Sequence, residues 1–320
     1  MNYIVLDLEW NQAADLKTKI ENQLLFEIIE VGAVKLNEYK QQTDSFHELI
    51  KPQVFHKMNQ ITGELVHLSI DQLDNCRSFK EVVSDFIKWC GEDYIFCTWG
   101  NLDLLELQRN MDYYNMPQLA DEPIKYYDVQ KLFSIAFEDK KLRRTLEFAV
   151  DYLNIEKDIA FHRADSDAYY TAKVLQKIQP LEVFINYSFD TYRTPETKKD
   201  EIHIVFDDYE KYISRAFENK IEAMSDKEVI STKCYLCKSR TKKKIQWFTS
   251  NGKHYYSVFV CGNHGMFKSK IRIKKNFDNK VYVIKTTKKI GDSDYHEIIN
   301  KREHARELRK ERRHKASKEE

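Results

Sequence analysis

The first strand pattern of the sequence is an apolar run that carries two carboxylates. Residues 3–9 read YIVLDLE, a composition typical of a strand buried in a sheet. Because side chains alternate along a strand, Asp7 and Glu9 face the same side, with Leu8 between them on the other. Two like charges this close are costly in a buried position unless a cation lies between them. The run therefore indicates either a divalent-metal site on a buried strand or a solvated edge strand.

Strand and helix patterns alternate through the first 180 residues. Strand-like runs lie at residues 3–8, 27–36, 45–50 and 94–98. Apolar residues recur at helical spacing in residues 79–87, 102–111, 144–153 and 164–178. Three early strands followed by helices and one further strand predict an α/β domain, in which helices cover a mixed β-sheet.

Charge is distributed very unevenly over the 320 residues. The formal net charge is +1, but residues 1–225 hold 26 Lys and Arg against 40 Asp and Glu, whereas residues 226–320 hold 26 against 11. The two parts therefore carry net charges of −14 and +15. This asymmetry predicts an acidic body that binds metal and a basic C-terminal part that seeks nucleic acid. The alternative is that charges sort by chance among solvated faces.

The sequence carries no pattern of secretion or membrane insertion. Its N-terminal stretch, MNYIVLDLEWN, lacks the basic flank and sustained apolar run of a signal peptide, and no run reaches the roughly 18 apolar residues of a membrane span. We therefore expect a cytoplasmic protein without a membrane partner. In that reducing setting the six cysteines are expected to be buried thiols or metal ligands rather than disulfides.

Two later stretches add ionisable groups to the acidic pair. Asp103 follows the strand pattern at 94–98, where a strand passes into a helix, and residues 162–168 read HRADSDA. Taken singly, Asp103 fits a helix-start carboxylate and His162 a surface histidine. Asp165 and Asp167 are two positions apart on the predicted helix, so they point about 200° from one another and cannot both face one site.

Taken together, these stretches resemble the DEDDh family of 3′→5′ exonucleases, a branch of the ribonuclease-H-like superfamily. The shared order is Asp-x-Glu on a first strand, an aspartate at a helix start about a hundred residues later, and His-x4-Asp on a late helix. The resemblance covers roughly residues 1–180. It is strongest to the Eri-type and KapD-type exonucleases, through VLDLEWN, HKMNQITGE, TWGNLD and HRADSDAYYTAKVL.

The resemblance implies both a fold and a mechanism. The fold is a ribonuclease-H-like mixed β-sheet flanked by helices. The activity is hydrolysis of single-stranded nucleic acid with two Mg²⁺ or Mn²⁺ ions, held by Asp7, Glu9, Asp103 and Asp167, and with His162 as general base. Asp165 is then a solvent-exposed carboxylate of the first helical turn. The Eri-type resemblance favours RNA over DNA. The alternative is a catalytically silent nucleic-acid-binding or regulatory protein on an exonuclease scaffold.

Substrate contacts implied by the resemblance lie near the same motifs. Thr62 belongs to the loop that contacts the terminal nucleotide in the family, and Trp99 and Asn101 flank the motif that contains Asp103. Leu8 and Trp10 flank the acidic pair, and Trp10 stands where many members carry a small residue or threonine. Trp99 has an alternative role as a core residue.

The C-terminal third contains two short pairs of metal-ligand residues. Cys234-x2-Cys237 and Cys261-x2-His264 flank a hairpin pattern at 245–260, which turns at Asn251-Gly252. Pairs with this spacing predict a zinc ribbon with one structural Zn²⁺. The alternative is four unconnected thiol and imidazole groups. Lysines interleaved with aromatic residues around the hairpin favour nucleic-acid binding, although some of the aromatic residues are expected in the small core.

These patterns together predict four regions. Residues 1–180 form the exonuclease domain, 181–226 a helical connector, 227–290 a small β-rich, zinc-ribbon-like nucleic-acid-binding domain, and 291–320 a basic charged tail. The tail is expected to be a basic C-terminal helix, acting either as an electrostatic arm or as a plain solvated helix. Protein partners are not indicated by any pattern.

Overall fold

The computed structural model describes residues 1–13, 24–140, 142–249 and 251–319, and it divides the chain into two compact units. The first unit comprises Met1–Tyr192 and the second Arg193–Glu320. Each unit is built around its own six-stranded sheet.

The first sheet is mixed, as the strand and helix order predicts. Its strand order is β3-β2-β1-β4-β5-β6; β1 pairs in parallel with β4 and β4 with β5, and the other neighbours are antiparallel. The strands are β1 (Asn2–Gln12), β2 (Phe26–Leu36), β3 (Gln42–Leu49), β4 (Tyr94–Thr98), β5 (Lys125–Asp128) and β6 (Ser188–Phe189).

Helices cover both faces of this sheet. They are α1 (Gln60–Val66), α2 (Ile70–Leu73), α3 (Phe79–Cys90), α4 (Asp103–Tyr113), α5 (Val129–Phe137), α6 (Leu146–Tyr152) and α7 (Ala164–Lys177), followed by a 3₁₀ turn at Leu181–Ile185. Alternation along β1 assigns its residues to two cores: Ile4, Leu6 and Leu8 pack with α3 and α4, and Val5 packs with α5, α6 and α7. Asp7 and Glu9 share the alternation of Val5.

The start of α7 lies directly on β2, at Gly32. A Cβ atom at this position would lie 2.0 Å from the carbonyl carbon of Ala164, so the contact requires glycine. Gly32 is also the antiparallel partner of Asp7 on β1. The close approach therefore brings the first turn of α7 next to the acidic end of β1.

The second sheet is antiparallel throughout, with the order β7-β8-β12-β11-β10-β9. Its strands are β7 (Ile202–Val205), β8 (Tyr209–Ile213), β9 (Lys242–Thr249), β10 (His254–Cys261), β11 (Gly265–Lys275) and β12 (Val281–Lys289). The predicted hairpin at 245–260 corresponds to β9 and β10. Two helices accompany the sheet, α8 (Lys220–Ser225) and α9 (Asp292–Glu319), and α9 covers most of the predicted tail.

The segment 181–226 differs from the helical connector that the sequence predicts. It contributes β6 to the first sheet and β7 and β8 to the second. Its one α-helix, α8, is only six residues long. The boundary between the units falls between Tyr192 and Arg193, inside the predicted connector. As a result, the predicted ribbon is part of a larger sheet. Among the described helices, none is long and apolar enough to cross a membrane.

Candidate active site

Three carboxylates from β1 and α7 meet in the first unit. The carboxylate oxygens of Asp7, Glu9 and Asp167 offer ligand atoms that all lie within 4.8 Å of one another. Asp103, the first residue of α4, is buried and accepts a hydrogen bond from the backbone N–H of Leu8, which ties it to the same stretch of β1. The structure therefore brings together the four acidic residues that the sequence singles out.

Desolvation, followed by repulsion from nearby carboxylates, raises the pKa of all four carboxyl groups. Burial is the largest cause in each case. The pKa of Asp7 is raised well above its usual value by burial and then by Asp103, Asp167 and Glu9. The pKa rises to about 8 for Glu9, about 7 for Asp103 and about 6 for Asp167. Such a group of hard oxygen donors, unfavourable when fully charged, fits divalent cations such as Mg²⁺ or Mn²⁺.

His162 lies beside this group, on the loop that enters α7. Its backbone has a φ of +67°, a left-handed conformation that is uncommon outside glycine and asparagine. This turn directs its N–H toward Asp167, whose Oδ1 is 3.4 Å away, and leaves His162 exposed. The hydrogen bond from the His162 backbone, followed by the electrostatic effect of His162, lowers the pKa of Asp167, so the two residues interact.

Asp165 belongs to a different group. Its Oδ2 lies 3.9 Å from Nδ1 of His47 on β3, and with Glu30 and His47 it forms a cluster separate from that of Asp7, Glu9 and Asp167. Its side chain is 45% exposed, as expected for a helix-start carboxylate, but it also has His47 as a neighbour, which the sequence does not predict. The two aspartates of α7 thus point to different neighbours.

The sequence analysis missed Glu30 and its two cationic partners. Glu30 is fully buried on β2, directly opposite Glu9 on β1. Arg163 donates to it from Nε and Nη2 at 2.8–3.0 Å, and His47 Nε2 lies 2.7 Å from its Oε1. Burial opposes ionisation of Glu30, but these two partners outweigh it and lower its pKa. A glutamate in the apolar run EIIEVGAVKL is the signal that could have identified it.

This network connects β2 and β3 to the start of α7. Arg163 is the residue that immediately precedes α7, and its charge also lowers the pKa of Glu9. Arg163 is therefore held by Glu30 at a position where it offsets part of the negative charge of the carboxylate group.

The residues implied as substrate contacts lie in varied environments. Leu8 and Thr62 are buried, Trp10 is half-buried and packs on Phe26 at 5.5 Å between ring centroids, and Asn101 is exposed. Trp99 packs against the core cluster that contains Phe133, and its indole N–H has no hydrogen-bond partner among the described residues. The environment of Trp99 agrees with its alternative role as a core residue.

The loop before α1 is fastened to the sheet by two buried polar residues that the sequence analysis did not identify. Asn11 at the end of β1 donates from Nδ2 to the carbonyl of Lys57 at 2.9 Å and accepts from the N–H of Asn59 at 2.9 Å. Glu27 on β2 accepts from the N–H groups of residues 53–55 at 2.6–2.9 Å. These bonds fix the start of α1, and with it Thr62, relative to the strand that carries Asp7.

The second unit holds a compact group of three cysteines and one histidine. Cys234 Sγ lies 3.5 Å and Cys261 Sγ 3.7 Å from Nδ1 of His264, and the Sγ atoms of Cys237 and Cys261 are 3.6 Å apart. In a tetrahedral zinc site with Zn–S near 2.3 Å and Zn–N near 2.0–2.1 Å, a sulfur and a nitrogen ligand would be about 3.6 Å apart and two sulfur ligands about 3.8 Å apart. The spacing of the four groups therefore fits one zinc ion.

Two of the three thiols of this group are predisposed to ionise, whereas burial raises the pKa of Cys234. Hydrogen bonds from Ser239 are the main cause that lowers the pKa of Cys237 to about 6, and a backbone hydrogen bond from Asn263, followed by His264, lowers that of Cys261. Thiolates are the form of cysteine that binds zinc.

A sequence model described as exonuclease matches residues 4–175, which is more than half of the chain and spans all the motifs of the carboxylate group. The chain belongs to this exonuclease family. The match ends within α7, so it covers most of the first unit and none of the second.

Individual relatives are more distant. The 3′-5′ exoribonuclease 1 of Rattus norvegicus is 22% identical over 163 residues, which cover 48% of this chain and 46% of that protein. The PolC-type DNA polymerase III of Thermotoga maritima is 29% identical over 179 residues, 54% of this chain and 11% of the polymerase. The chain thus spans about half the length of the first relative and about a tenth of the second.

Solved structures of similar proteins include the nuclease domain of 3′hExo, a DEDDh family member, bound to rAMP. It is 18% identical, with a TM-score of 0.47, over 55% of this chain and 90% of that one. Another is E. coli exonuclease I in complex with a dT13 oligonucleotide, 14% identical with a TM-score of 0.43, over 62% of this chain and 45% of that one.

Proposed function

We propose that this protein is a metal-dependent 3′→5′ exonuclease that hydrolyses single-stranded nucleic acid. The observation that carries the proposal is the group formed by the half-buried Asp7, Glu9 and Asp167 and the buried Asp103, with His162 at its edge, in a chain of the exonuclease family. Four carboxylates held this close repel one another, and this repulsion destabilises the fold unless a bound cation offsets their charge.

In this proposal the four carboxylates hold two Mg²⁺ or Mn²⁺ ions. When bound, such ions neutralise charge on the scissile phosphate and on the leaving 3′-oxygen. The chain's contribution is to fix the donors on rigid elements: β1 supplies Asp7 and Glu9, α4 supplies Asp103, and α7 supplies Asp167. Placing donors on strands and helix starts keeps their geometry constant while substrate binds.

His162 is proposed as the general base. Its imidazole is exposed on the α7 loop, so a neutral ring nitrogen there can accept the proton that the attacking water releases. Asp167 supports this role because its negative charge stabilises the imidazolium that forms. The hydrogen bond from the backbone N–H of His162 to Asp167 supports this role, because it holds His162 next to the carboxylate group.

Polarity and substrate class rest on the relatives. The rat relative is named as a 3′-5′ exoribonuclease, which supports 3′→5′ polarity and RNA as the substrate. The Thermotoga maritima relative is named as a DNA polymerase, so single-stranded DNA is the competing substrate. We propose RNA as the preferred polymer, with a cytoplasmic site of action.

A structural Zn²⁺ is proposed for the second unit, held by Cys234, Cys237, Cys261 and His264. The tetrahedral separations and the lowered thiol pKa values support it. With four protein ligands no position is left for substrate, so the ion would join the loop before β9 to the β10–β11 turn. Loss of zinc content in Cys234→Ser, relative to wild type, checks the site; unchanged stoichiometry would refute it.

The activity is tested with 5′-labelled single-stranded RNA and DNA of equal sequence, incubated with Mg²⁺ or Mn²⁺. Wild type should give a ladder that shortens from the 3′ end, faster on RNA, whereas Asp7→Asn should give none although its fold is intact by circular dichroism. Absence of a metal-dependent ladder from wild type on both polymers would refute the proposal and favour a silent nucleic-acid-binding protein.

A further inference from the structure

One face of the second sheet carries a row of cations. On β11, Lys268, Lys270, Arg272 and Lys274 alternate with buried or half-buried residues such as Ile271, so the four cations point to one face and Ile271 to the other. Arg272 and Lys274 are exposed. Successive cations of such a row are about 7 Å apart, which is close to the spacing of phosphates along an extended nucleic-acid strand.

The strand register extends this row across the neighbouring strands. Lys270 lies opposite Tyr256 on β10 and Thr286 on β12, and Arg272 lies opposite His254 and Ile284. The same face also receives Lys288, opposite Lys268, and Lys211, opposite Thr286. We call this surface, defined by Lys211, His254, Tyr256, Lys270, Arg272, Lys274, Thr286 and Lys288, the basic face.

Negative charge is scarce on the basic face. Within β8, β10, β11 and β12, none of the residues that point to this face is Asp or Glu, and Glu210 of β8 points to the opposite one. Asp294 of α9 lies 2.9 Å from Lys268 and neutralises that end of the row. Beyond Lys268, neighbouring cations repel one another. Burial is the largest cause that lowers the pKa of Lys270, and the charges of Arg272, Lys301 and Lys268 lower it further. The face therefore concentrates positive potential.

An aromatic ring accompanies the cations. Tyr256 is half-buried, and its ring centroid lies 5.8 Å from Lys270 Nζ and 5.7 Å from Lys301 Nζ. Phe248 on β9 is its neighbour, with ring centroids 5.8 Å apart. Both rings pack against the buried cluster of Ile245, Val258, Ile290 and Ile298, and Ile298 belongs to α9. They therefore bound this end of the row, and the contacts to phosphates fall to the cations beyond it.

We infer that the basic face binds the phosphodiester backbone of single-stranded nucleic acid, with Lys270, Arg272 and Lys274 as the principal phosphate contacts. This inference rests on the function proposed above, since it assigns a second contact surface to the same substrate. A single strand fits better than a duplex, because the cations follow one straight β-strand and the substrate proposed above is single-stranded.

The test uses the full chain and a 5′-fluorescein-labelled 20-nucleotide single-stranded RNA, without added Mg²⁺ or Mn²⁺, with fluorescence anisotropy as the readout. The test variant combines Lys270→Ala, Arg272→Ala and Lys274→Ala. The matched control removes three exposed lysines of the same unit outside the sheet, as Lys198→Ala, Lys199→Ala and Lys227→Ala.

We expect the test variant to bind at least about tenfold more weakly at 0.1 M salt. The slope of log K against log salt should fall by about 2, since each phosphate contact on a single strand contributes about 0.7. The control variant should keep wild-type affinity and slope. A variant that keeps charge, with Lys270→Arg, Arg272→Lys and Lys274→Arg, should also bind within about threefold of wild type. Binding by this variant would attribute the loss to the missing charges, and circular dichroism of the alanine variant checks its fold.

Two readouts separate this inference from the proposed activity. Thymidine 5′-monophosphate p-nitrophenyl ester is a single-nucleotide substrate that cannot reach a second contact surface, so the test variant should hydrolyse it at the wild-type rate. Equal RNA affinity of the test and control variants would overturn the inference while leaving the activity intact. Equal competition by duplex RNA or by polyglutamate would overturn the single-strand assignment. If wild type binds RNA through this face but cleaves neither substrate, the proposed activity fails and the surface remains.

Discussion

Asp165 and Asp167 occupy the same first turn of α7, yet they interact with different groups. Asp167 joins Asp7 and Glu9, whereas Asp165 lies 3.9 Å from His47. They form a matched pair for mutation, since both changes remove one carboxylate from the same turn. We expect Asp167→Asn to lower kcat at least about 10³-fold, because a proposed metal ligand is lost, and Asp165→Asn to lower it less than about fivefold. Single-turnover cleavage of labelled RNA measures both, and the reverse order would reassign the ligand.

His162 offers a second prediction at this scale. Replacing it with alanine removes the proposed proton acceptor but none of the carboxylates, so kcat should fall about 10²–10⁴-fold while RNA affinity stays within about twofold. Added imidazole should restore part of the rate, since a small base can enter the space left at an exposed position. The cleavage rate with and without imidazole checks this. Wild-type turnover by His162→Ala would exclude the role.

The limits of sequence reasoning are also clearest for single residues. Strand alternation places Asp7 and Glu9 on one face, and the resemblance to the exonuclease family selects Asp167 over Asp165; the structure brings the three side chains together. The partnership of Glu30 with Arg163 joins residues 133 positions apart, and local patterns carry no information about such a contact. Trp99 illustrates another limit, because a tryptophan beside a motif looks the same in sequence whether it faces the core or the substrate.

Among the elements, α7 depends on one close contact with β2. A methyl group at Gly32 would lie 2.0 Å from Ala164 C and 2.2 Å from Asp165 N, both backbone atoms that cannot move alone. Gly32→Ala should therefore push the helix start away from β1 and carry Asp167 out of reach of Asp7. We expect at least about 10²-fold lower kcat and about 2–4 kcal/mol lower stability of the first unit. Cleavage assays and urea unfolding check this. Gly291→Ala, where a Cβ meets no atom within 4 Å, is the matched control.

In the second sheet, β12 buries a lysine on the face opposite the basic face. Lys285 donates from Nζ to the carbonyl of Glu228 at 2.6 Å, and burial lowers its pKa to about 8. Between pH 8 and about 10.5 the unfolded chain therefore binds more protons at this residue than the folded chain, so its contribution makes unfolding free energy rise with pH. Relative to Lys285→Met, wild type should gain up to about 3 kcal/mol across this window. Urea unfolding at pH 7.5 and 10 measures it; parallel curves would contradict it.

The elements that the sequence failed to predict are those that pair over long distances. β8 pairs with β12, about 70 positions later in the chain, and the charged residues of its sequence, YEKYI, resemble a solvated connector. The β9–β10 hairpin, by contrast, pairs locally and carries an Asn-Gly turn signal, so it is visible in sequence. In the first sheet, β1–β4 carry strong strand patterns and were predicted, whereas β5 and β6, of four and two residues, are too short to show one.

For the whole molecule, each proposed metal lies within one compact unit. The carboxylate group belongs entirely to Met1–Tyr192, and the zinc ligands belong to Arg193–Glu320. A ligand stabilises the structure that binds it, by RT ln(1 + [L]/Kd). Metal binding should therefore act on the unfolding transitions of the two units separately, whichever transition occurs at the lower temperature.

Scanning calorimetry of the full chain tests this separation. Mn²⁺ at a fixed concentration, about 100 times its Kd at pH 8, should raise the first unit's transition by about 5–10 °C at that pH and by less at pH 6, because Glu9, Asp103 and Asp167 must lose protons to bind it. A zinc-selective chelator should lower or abolish only the second unit's transition. Asp7→Asn should lose the response to Mn²⁺ and keep the response to the chelator, and Cys234→Ser should show the opposite. A Mn²⁺ shift of wild-type size in Asp7→Asn would contradict the assignment of the carboxylate group as the metal site.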